Sequence, residues 1–160
     1  MKMATVRPVR IPGRWREGFA LDNHTVSSDF VGHDEFGHPR YDTKRTALGE
    51  LLYRLKYGSD KTVVDEIAHA AAAFLNSWNP GVALVLPVPP SKPRLQQPVI
   101  LLAEALGRRV TLPVRPQAVT RVKALPELGA TMNAITESSY GDGQASEVFA
   151  LTITRTRSRS

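Results

Sequence analysis

Five residues, Val82-Ala83-Leu84-Val85-Leu86, constrain the fold of this chain more than any other segment. They form an unbroken apolar run with Asn79-Pro80-Gly81 before it and Pro87 after it. A strand that shows one face to water alternates apolar with polar residues, so a continuous run of this length suits a strand covered on both faces. The covering layers are legible on either side. Val63, Val64, Ile67, Ala68, Ala71, Phe74, Leu75 and Trp78 recur at intervals of three and four and predict a helix over about 61–78, stopped by Asn79-Pro80-Gly81. Ala47, Leu48, Leu51, Leu52 and Leu55 predict an earlier helix, capped by Asp42 and ended by Gly58. Pro98 suits the first turn of a helix running through Leu106, with Gly107 to end it.

Further segments complete the pattern. Residues 18–31 carry two short apolar stretches broken by Asp22-Asn23 and read as a short antiparallel strand pair, with 32–42 a loop. Val110 to Val114 reads as a short strand, Gly129 to Tyr140 as a turn and helix, and Glu147 to Thr154 as a second buried strand. Strands alternating with helices predict an α/β domain whose mainly parallel sheet is flanked by helices. One strand is missing from that scheme. Thr120-Arg121-Val122-Lys123-Ala124-Leu125-Pro126-Glu127-Leu128 is mixed in polarity and ends in a proline turn, where a buried strand should lead into Gly129. At least one core strand is therefore expected to be lost.

Composition narrows the class. With 160 residues, 42% of them hydrophobic, the chain can bury one core without staples. Cysteine is absent, which excludes disulfides, thiolate metal sites and cysteine nucleophiles. The longest apolar run, Ala70 to Leu75, is far too short to span a membrane. Arg7 interrupts the N-terminal stretch where a secretory signal would need its apolar centre, so a cytoplasmic protein without a membrane partner is expected. The net charge of +6 divides unevenly. Lys2, Arg7, Arg10, Arg14 and Arg16 lie near one end and Arg155, Arg157 and Arg159 at the other, leaving the body slightly acidic. The expected organisation is a basic arm over 1–12, one domain over 13–154 and a basic tail over 155–160. Basic termini of this kind make weak, salt-sensitive contacts with nucleic acid or are simply solvated.

Two loops stand where an α/β sheet binds ligands, beyond the carboxyl ends of its strands. Pro87-Val88-Pro89-Pro90-Ser91-Lys92-Pro93-Arg94 presents a hydroxyl, an ammonium and a guanidinium on a proline-stiffened backbone, a set that suits a phosphate or only a surface connection. Gly129-Ala130-Thr131 opens a helix, where small residues let backbone N–H groups approach an anion, or where Thr131 is only a cap. His24, His33, His38 and His69 lack metal-ligand spacing. Phosphate-loop, dinucleotide and nucleophile-elbow patterns are absent, and the aromatic residues look too few and scattered to form a base-stacking face.

The order of segments carries more than any one of them. Gly13-Arg14-Trp15, then Gly18-Phe19-Ala20-Leu21-Asp22-Asn23-His24-Thr25, then Asp42-Thr43-Lys44-Arg45-Thr46 leading into Leu48-Gly49-Glu50-Leu51-Leu52-Tyr53-Arg54-Leu55-Lys56-Tyr57, resembles the ComF-type phosphoribosyltransferase-like family. The apolar run entering the proline loop, the Gly129-Ala130-Thr131 turn and the closing strand fit the same pattern, from about Gly13 onward. The resemblance implies a type I phosphoribosyltransferase fold and a small-molecule sugar phosphate, phosphoribosyl pyrophosphate, as ligand. By the same resemblance Ser91, Lys92 and Arg94 would hold pyrophosphate, Gly129, Ala130 and Thr131 the 5-phosphate, and Arg121 and Lys123 would belong to a mobile loop. Mg²⁺ would come with the ligand, bound through its phosphates. The family places an acidic pair before the glycine turn to hold the ribose hydroxyls, and here Pro126-Glu127-Leu128 runs directly into Gly129, as though an internal segment were missing. Poor turnover is the expectation. The alternative is a non-enzymatic module for a phosphorylated ligand or nucleic acid, related through the family to DNA uptake. The reading leaves room for a homo-oligomer.

Overall fold

The structure, a computed structural model, describes residues 3–90, 92–119 and 147–156. Its strands are β1 (Val9–Arg10), β2 (Glu17–Asn23), β3 (Thr25–His33), β4 (Pro39–Arg45) and β5 (Phe149–Arg155), and its helices α1 (Ala47–Tyr57), α2 (Val64–Trp78) and α3 (Pro98–Val110). A 3-10 turn, Lys61–Val63, leads into α2. The architecture is mixed α/β with two small sheets, one ordered β1-β2-β5 and the other β3-β4.

The parallel element is the β2–β5 pair, with Glu17 opposite Phe149 and Asn23 opposite Arg155. Main-chain bonds from Arg16 N to Val148 O (2.9 Å) and from His24 N to Arg155 O (2.8 Å) extend the ladder at both ends. The closing strand expected over 147–154 is thus present. The antiparallel pair expected within 18–31 is not. Its two stretches are strands β2 and β3, but β2 pairs with β1 and β5, and β3 pairs with β4. The cause is the single residue between them: His24 alone cannot reverse the chain, so β3 continues out of the first sheet and finds its partner across the next turn. That turn occupies only Asp34–His38, where Asp34 Oδ1 accepts from Phe36 N (2.9 Å) and His38 N (2.8 Å). The rest of the segment expected to be a loop is strand.

The cap of α1 differs as well. Asp42 lies within β4, and Thr46 caps the helix, its Oγ1 accepting from Gly49 N at 3.0 Å and donating to Asn23 O at 2.7 Å. Gly58 ends the helix as the spacing predicts, and Asn79 ends α2 in the left-handed conformation, φ 50°. Helix α3 runs past Gly107 to Val110 and stops at Thr111, φ 55°. The glycine does not end this helix; a Cβ there would press on Val114, so it lets the following chain fold back. Val110 is consequently helical, and no strand runs from Val110 to Val114.

The largest departure concerns the run that opened the argument. Val82–Leu86 is not a strand covered on both faces. Val85 alone makes a parallel bridge, to Val114, with Val85 N donating to Pro113 O (2.9 Å) and Arg115 N to Val85 O (3.1 Å). Leu84 and Leu86 are each 41% exposed. A strand needs neighbours along its whole length, and among the described residues one bridge is what it finds. The missing strand before Gly129 and the helix expected over 129–140 lie outside the described residues.

The core lies between β2 and the first two helices. Leu21, Leu48, Leu51, Leu55, Val63, Ile67, Ala70 and Ala71 form one cluster, with Leu21, Leu48 and Ile67 fully buried. Each such side chain contributes about 1.5–3 kcal/mol by leaving water. Phe19 meets Phe74 and Trp78 edge-on at centroid distances of 5.2 and 5.0 Å, and Trp78 meets Phe149 at 5.6 Å, so α2 is bound to both parallel strands. This packing fixes α1 against the carboxyl end of β2. Gly49 is required there, because a Cβ would overlap the His24 carbonyl.

Candidate anion-binding site

The proline-rich loop ends in a short segment that enters α3. Pro98 stands in that helix's first turn, where its missing N–H costs nothing. Gln97 precedes it and ties the loop down, its Nε2 donating to Lys92 O at 3.0 Å. Held this way, Arg94 reaches across to α1, and its Nη1 donates to the main-chain oxygen of Lys56 at 3.0 Å.

The result is an open groove of about 660 Å³ between the end of α1 and the start of α3. Lys56, Lys61 and Arg94 line it together with Leu55, Ser59 and Gln96. Among the described residues no carboxylate forms an ion pair with any of the three cations. Nearby Asp60 is committed elsewhere, accepting from the Thr62 hydroxyl, from the Arg54 guanidinium and from Thr62 N, and these bonds, the Thr62 hydroxyl's first, hold its carboxyl below the usual range. Lys56 has the complementary perturbation: desolvation in the groove, then repulsion from Arg94, push its pKa below the ordinary lysine value. Three cations converging with no paired carboxylate among the described residues make a place where an anion is stabilised by Coulomb attraction and donated hydrogen bonds.

Of the residues read from sequence as pyrophosphate-binding, Arg94 lines this groove. Lys92 is exposed and contributes its main-chain oxygen to Gln97 rather than its ammonium to the groove. Ser91, Arg121, Lys123, Gly129, Ala130 and Thr131 lie outside the described residues. Lys56 and Lys61 were not legible as site residues. Lys56 sits in the leucine-rich helix that carried the resemblance, and Lys61 begins the turn into α2; only the packing of α3 beside them gives either a shared target.

A second cluster gathers at the carboxyl ends of the parallel pair. His24 Nδ1 lies 3.3 Å from Thr154 Oγ1, and Arg155 Nε donates to Asn23 Oδ1 at 3.1 Å. Burial and the charges of Arg45 and Lys56 lower the His24 pKa, with Glu50 opposing them. Asp22, 5% exposed, turns its Oδ1 to the Asn23 N–H at 2.7 Å. Among the described residues no group of three or more histidine or acidic side chains could hold a metal, and no helix is long and apolar enough to cross a membrane. Comparison with protein-family models, with curated proteins and with solved structures finds no match to this chain.

Proposed function

We propose that this chain binds a phosphorylated small molecule, phosphoribosyl pyrophosphate or a related sugar phosphate, in the groove between α1 and α3, as a phosphoribosyltransferase-like protein. The observation that carries the reading is the convergence of Lys56, Lys61 and Arg94 on one groove where, among the described residues, no carboxylate pairs with them. A parallel β2–β5 pair and the segment order are compatible with the resemblance, which supplies the identity of the ligand. Ammonium and guanidinium groups would hold the phosphates by charge-assisted hydrogen bonds. The described lining residues do not suit direct ligation of Mg²⁺, since they include three cations and no carboxylate.

Efficient turnover is not expected of this chain. In an intact relative of the family, a nitrogen nucleophile would displace pyrophosphate from the sugar C1 while acidic residues hold the ribose hydroxyls. Glu127 is the one acid in the segment Pro126-Glu127-Leu128. Losing several charged hydrogen bonds of roughly 1.5–3 kcal/mol each would slow the reaction by powers of ten. The test is calorimetric titration with phosphoribosyl pyrophosphate and with inorganic pyrophosphate, with and without Mg²⁺. Saturable binding that falls in Lys56→Ala and Arg94→Ala supports the reading; equal binding by wild type and both variants overturns it. A pyrophosphate-release assay across bases and amines is expected to show little activity, and rapid release lost in Glu127→Gln would show that one acid suffices.

A further inference from the structure

The three cations of the groove are not equivalent. Arg94 is anchored, its Nη1 donating to the main-chain oxygen of Lys56 at 3.0 Å, so a permanent positive charge is fixed beside the residue whose amine shares the groove. Leu55, Pro98 and Leu101 give the same groove an apolar wall, while Lys56 stays exposed enough for a small molecule to reach it. Among the described residues no carboxylate forms an ion pair with Lys56 to hold a proton on its nitrogen. Desolvation first and the Arg94 charge second favour the uncharged amine. A lysine so placed is a poorer electrostatic anchor for phosphate than an ordinary one, and a better nucleophile. Ser59 enters the lining at φ 53°, a conformation that side chains rarely adopt, and brings a hydroxyl able to donate and to accept a proton.

We propose that Lys56 forms a Schiff base with a small phosphorylated aldehyde, its amine condensing with the carbonyl carbon while Arg94 and Lys61 hold the phosphate. This rests on the reading of the groove as a phosphate site and narrows the ligand to sugar phosphates with a free carbonyl, such as open-chain ribose 5-phosphate. In the first step the uncharged Nζ bonds to the carbonyl carbon, the C=O π electrons pass to oxygen, and oxygen takes up a proton as nitrogen loses one. The carbinolamine then expels its hydroxyl group with a second proton from nitrogen, as water, and C=N forms. Amine and aldehyde give imine and water, so neither oxidant nor reductant is consumed. In an open-chain aldose 5-phosphate the carbonyl lies at the opposite end of the chain from the phosphate. Arg94 and Lys61 therefore meet the anion while Lys56 meets an uncharged group. A ligand made of phosphates alone would use Lys56 only as a cation, a role that its surroundings weaken.

The test is reductive trapping on the full chain. Brief incubation with ribose 5-phosphate and cyanoborohydride reduces any imine to a stable amine, and peptide mass spectrometry locates the labelled lysines. Lys56 is expected to be labelled faster than Lys44 or Lys92. Ribose 5-phosphate should label it roughly tenfold faster than ribose, the factor that one charge-assisted hydrogen bond to the phosphate supplies. Arg94→Ala should lower both preferences, and Lys56→Arg, which keeps the charge, should remove the fast phase of labelling. Lys56 labelled no faster than Lys44, or equally fast by ribose and by ribose 5-phosphate, overturns the proposal. Pyrophosphate binding in the calorimeter without a preferred Lys56 adduct overturns this proposal alone and leaves the phosphate reading standing. Absence of pyrophosphate binding together with labelling that ignores the phosphate overturns both.

Discussion

Arg94 is hydrogen-bonded from Nη1 to the main-chain oxygen of Lys56 at 3.0 Å, joining a loop cation to a helix 38 residues earlier in the chain. The bond satisfies a carbonyl in the last turn of α1, where intrahelical donors have run out and positive charge is favoured. It also places a guanidinium close to the Lys56 ammonium, and that repulsion adds to desolvation in lowering the Lys56 pKa.

Arg94→Ala is therefore expected to move the Lys56 pKa upward, though not fully to the ordinary value, because desolvation is the larger cause. Titration of the lysine side-chain carbons by NMR measures this directly. A downward shift, or none, would mean that the guanidinium does not act on Lys56.

Gly49→Ala tests how closely α1 approaches β2. In an ordinary helix interior the change stabilises by roughly 0.5–1 kcal/mol. Here the new methyl overlaps the His24 carbonyl, a main-chain atom with little freedom to move. The expected outcome is a loss of about 1–3 kcal/mol, as for other overpacked sites, measured by denaturant unfolding. A variant more stable than wild type would contradict the close contact.

His24 predicts a pH dependence of stability. Its pKa is lowered by burial first and then by Arg45 and Lys56, with Glu50 acting the other way and the Thr154 hydroxyl beside the ring. Between the lowered value and the ordinary 6.5 the unfolded chain binds the proton more strongly, so stability rises with pH across that window. The contribution is complete above about 6.5 and is lost as pH falls through the folded-state value. His24→Asn should flatten this part of a stability–pH curve while leaving the region above pH 7 parallel to wild type. An unaltered slope in the variant would contradict the assignment.

Ile67 is fully buried at the centre of the core cluster. Ile67→Ala should cost roughly 2–5 kcal/mol and Ile67→Val about 0.5–1.5 kcal/mol, by lost transfer energy and the cavity left behind. Equilibrium unfolding in guanidinium chloride reads both. Equal stability of the two variants would mean that the site collapses around the smaller side chain.

The sequence by itself determined the elements whose information is local. The apolar spacing of Leu48, Leu51, Leu52 and Leu55 and of Val63, Ile67, Ala68 and Ala71 places these residues on buried helix faces, and Gly58 and the left-handed Asn79 end their helices where the sequence predicts. The strand ending the described chain was also legible from its run of apolar residues. What the tertiary structure decided is every relationship that needs a distant partner. An apolar run becomes a strand only where neighbours complete its hydrogen bonds, and for Val82–Leu86 the described residues supply just the bridge at Val85. Strands β2 and β3 were visible as strands, yet their pairing depended on β5 and β4, which periodicity within residues 18–31 cannot specify. The groove follows the same rule. Arg94 was marked by its own loop, whereas Lys56 and Lys61 read as ordinary surface residues until the fold set the start of α3 near the end of α1 and gave the three cations one groove, because charge convergence is a property of space and not of order along the chain.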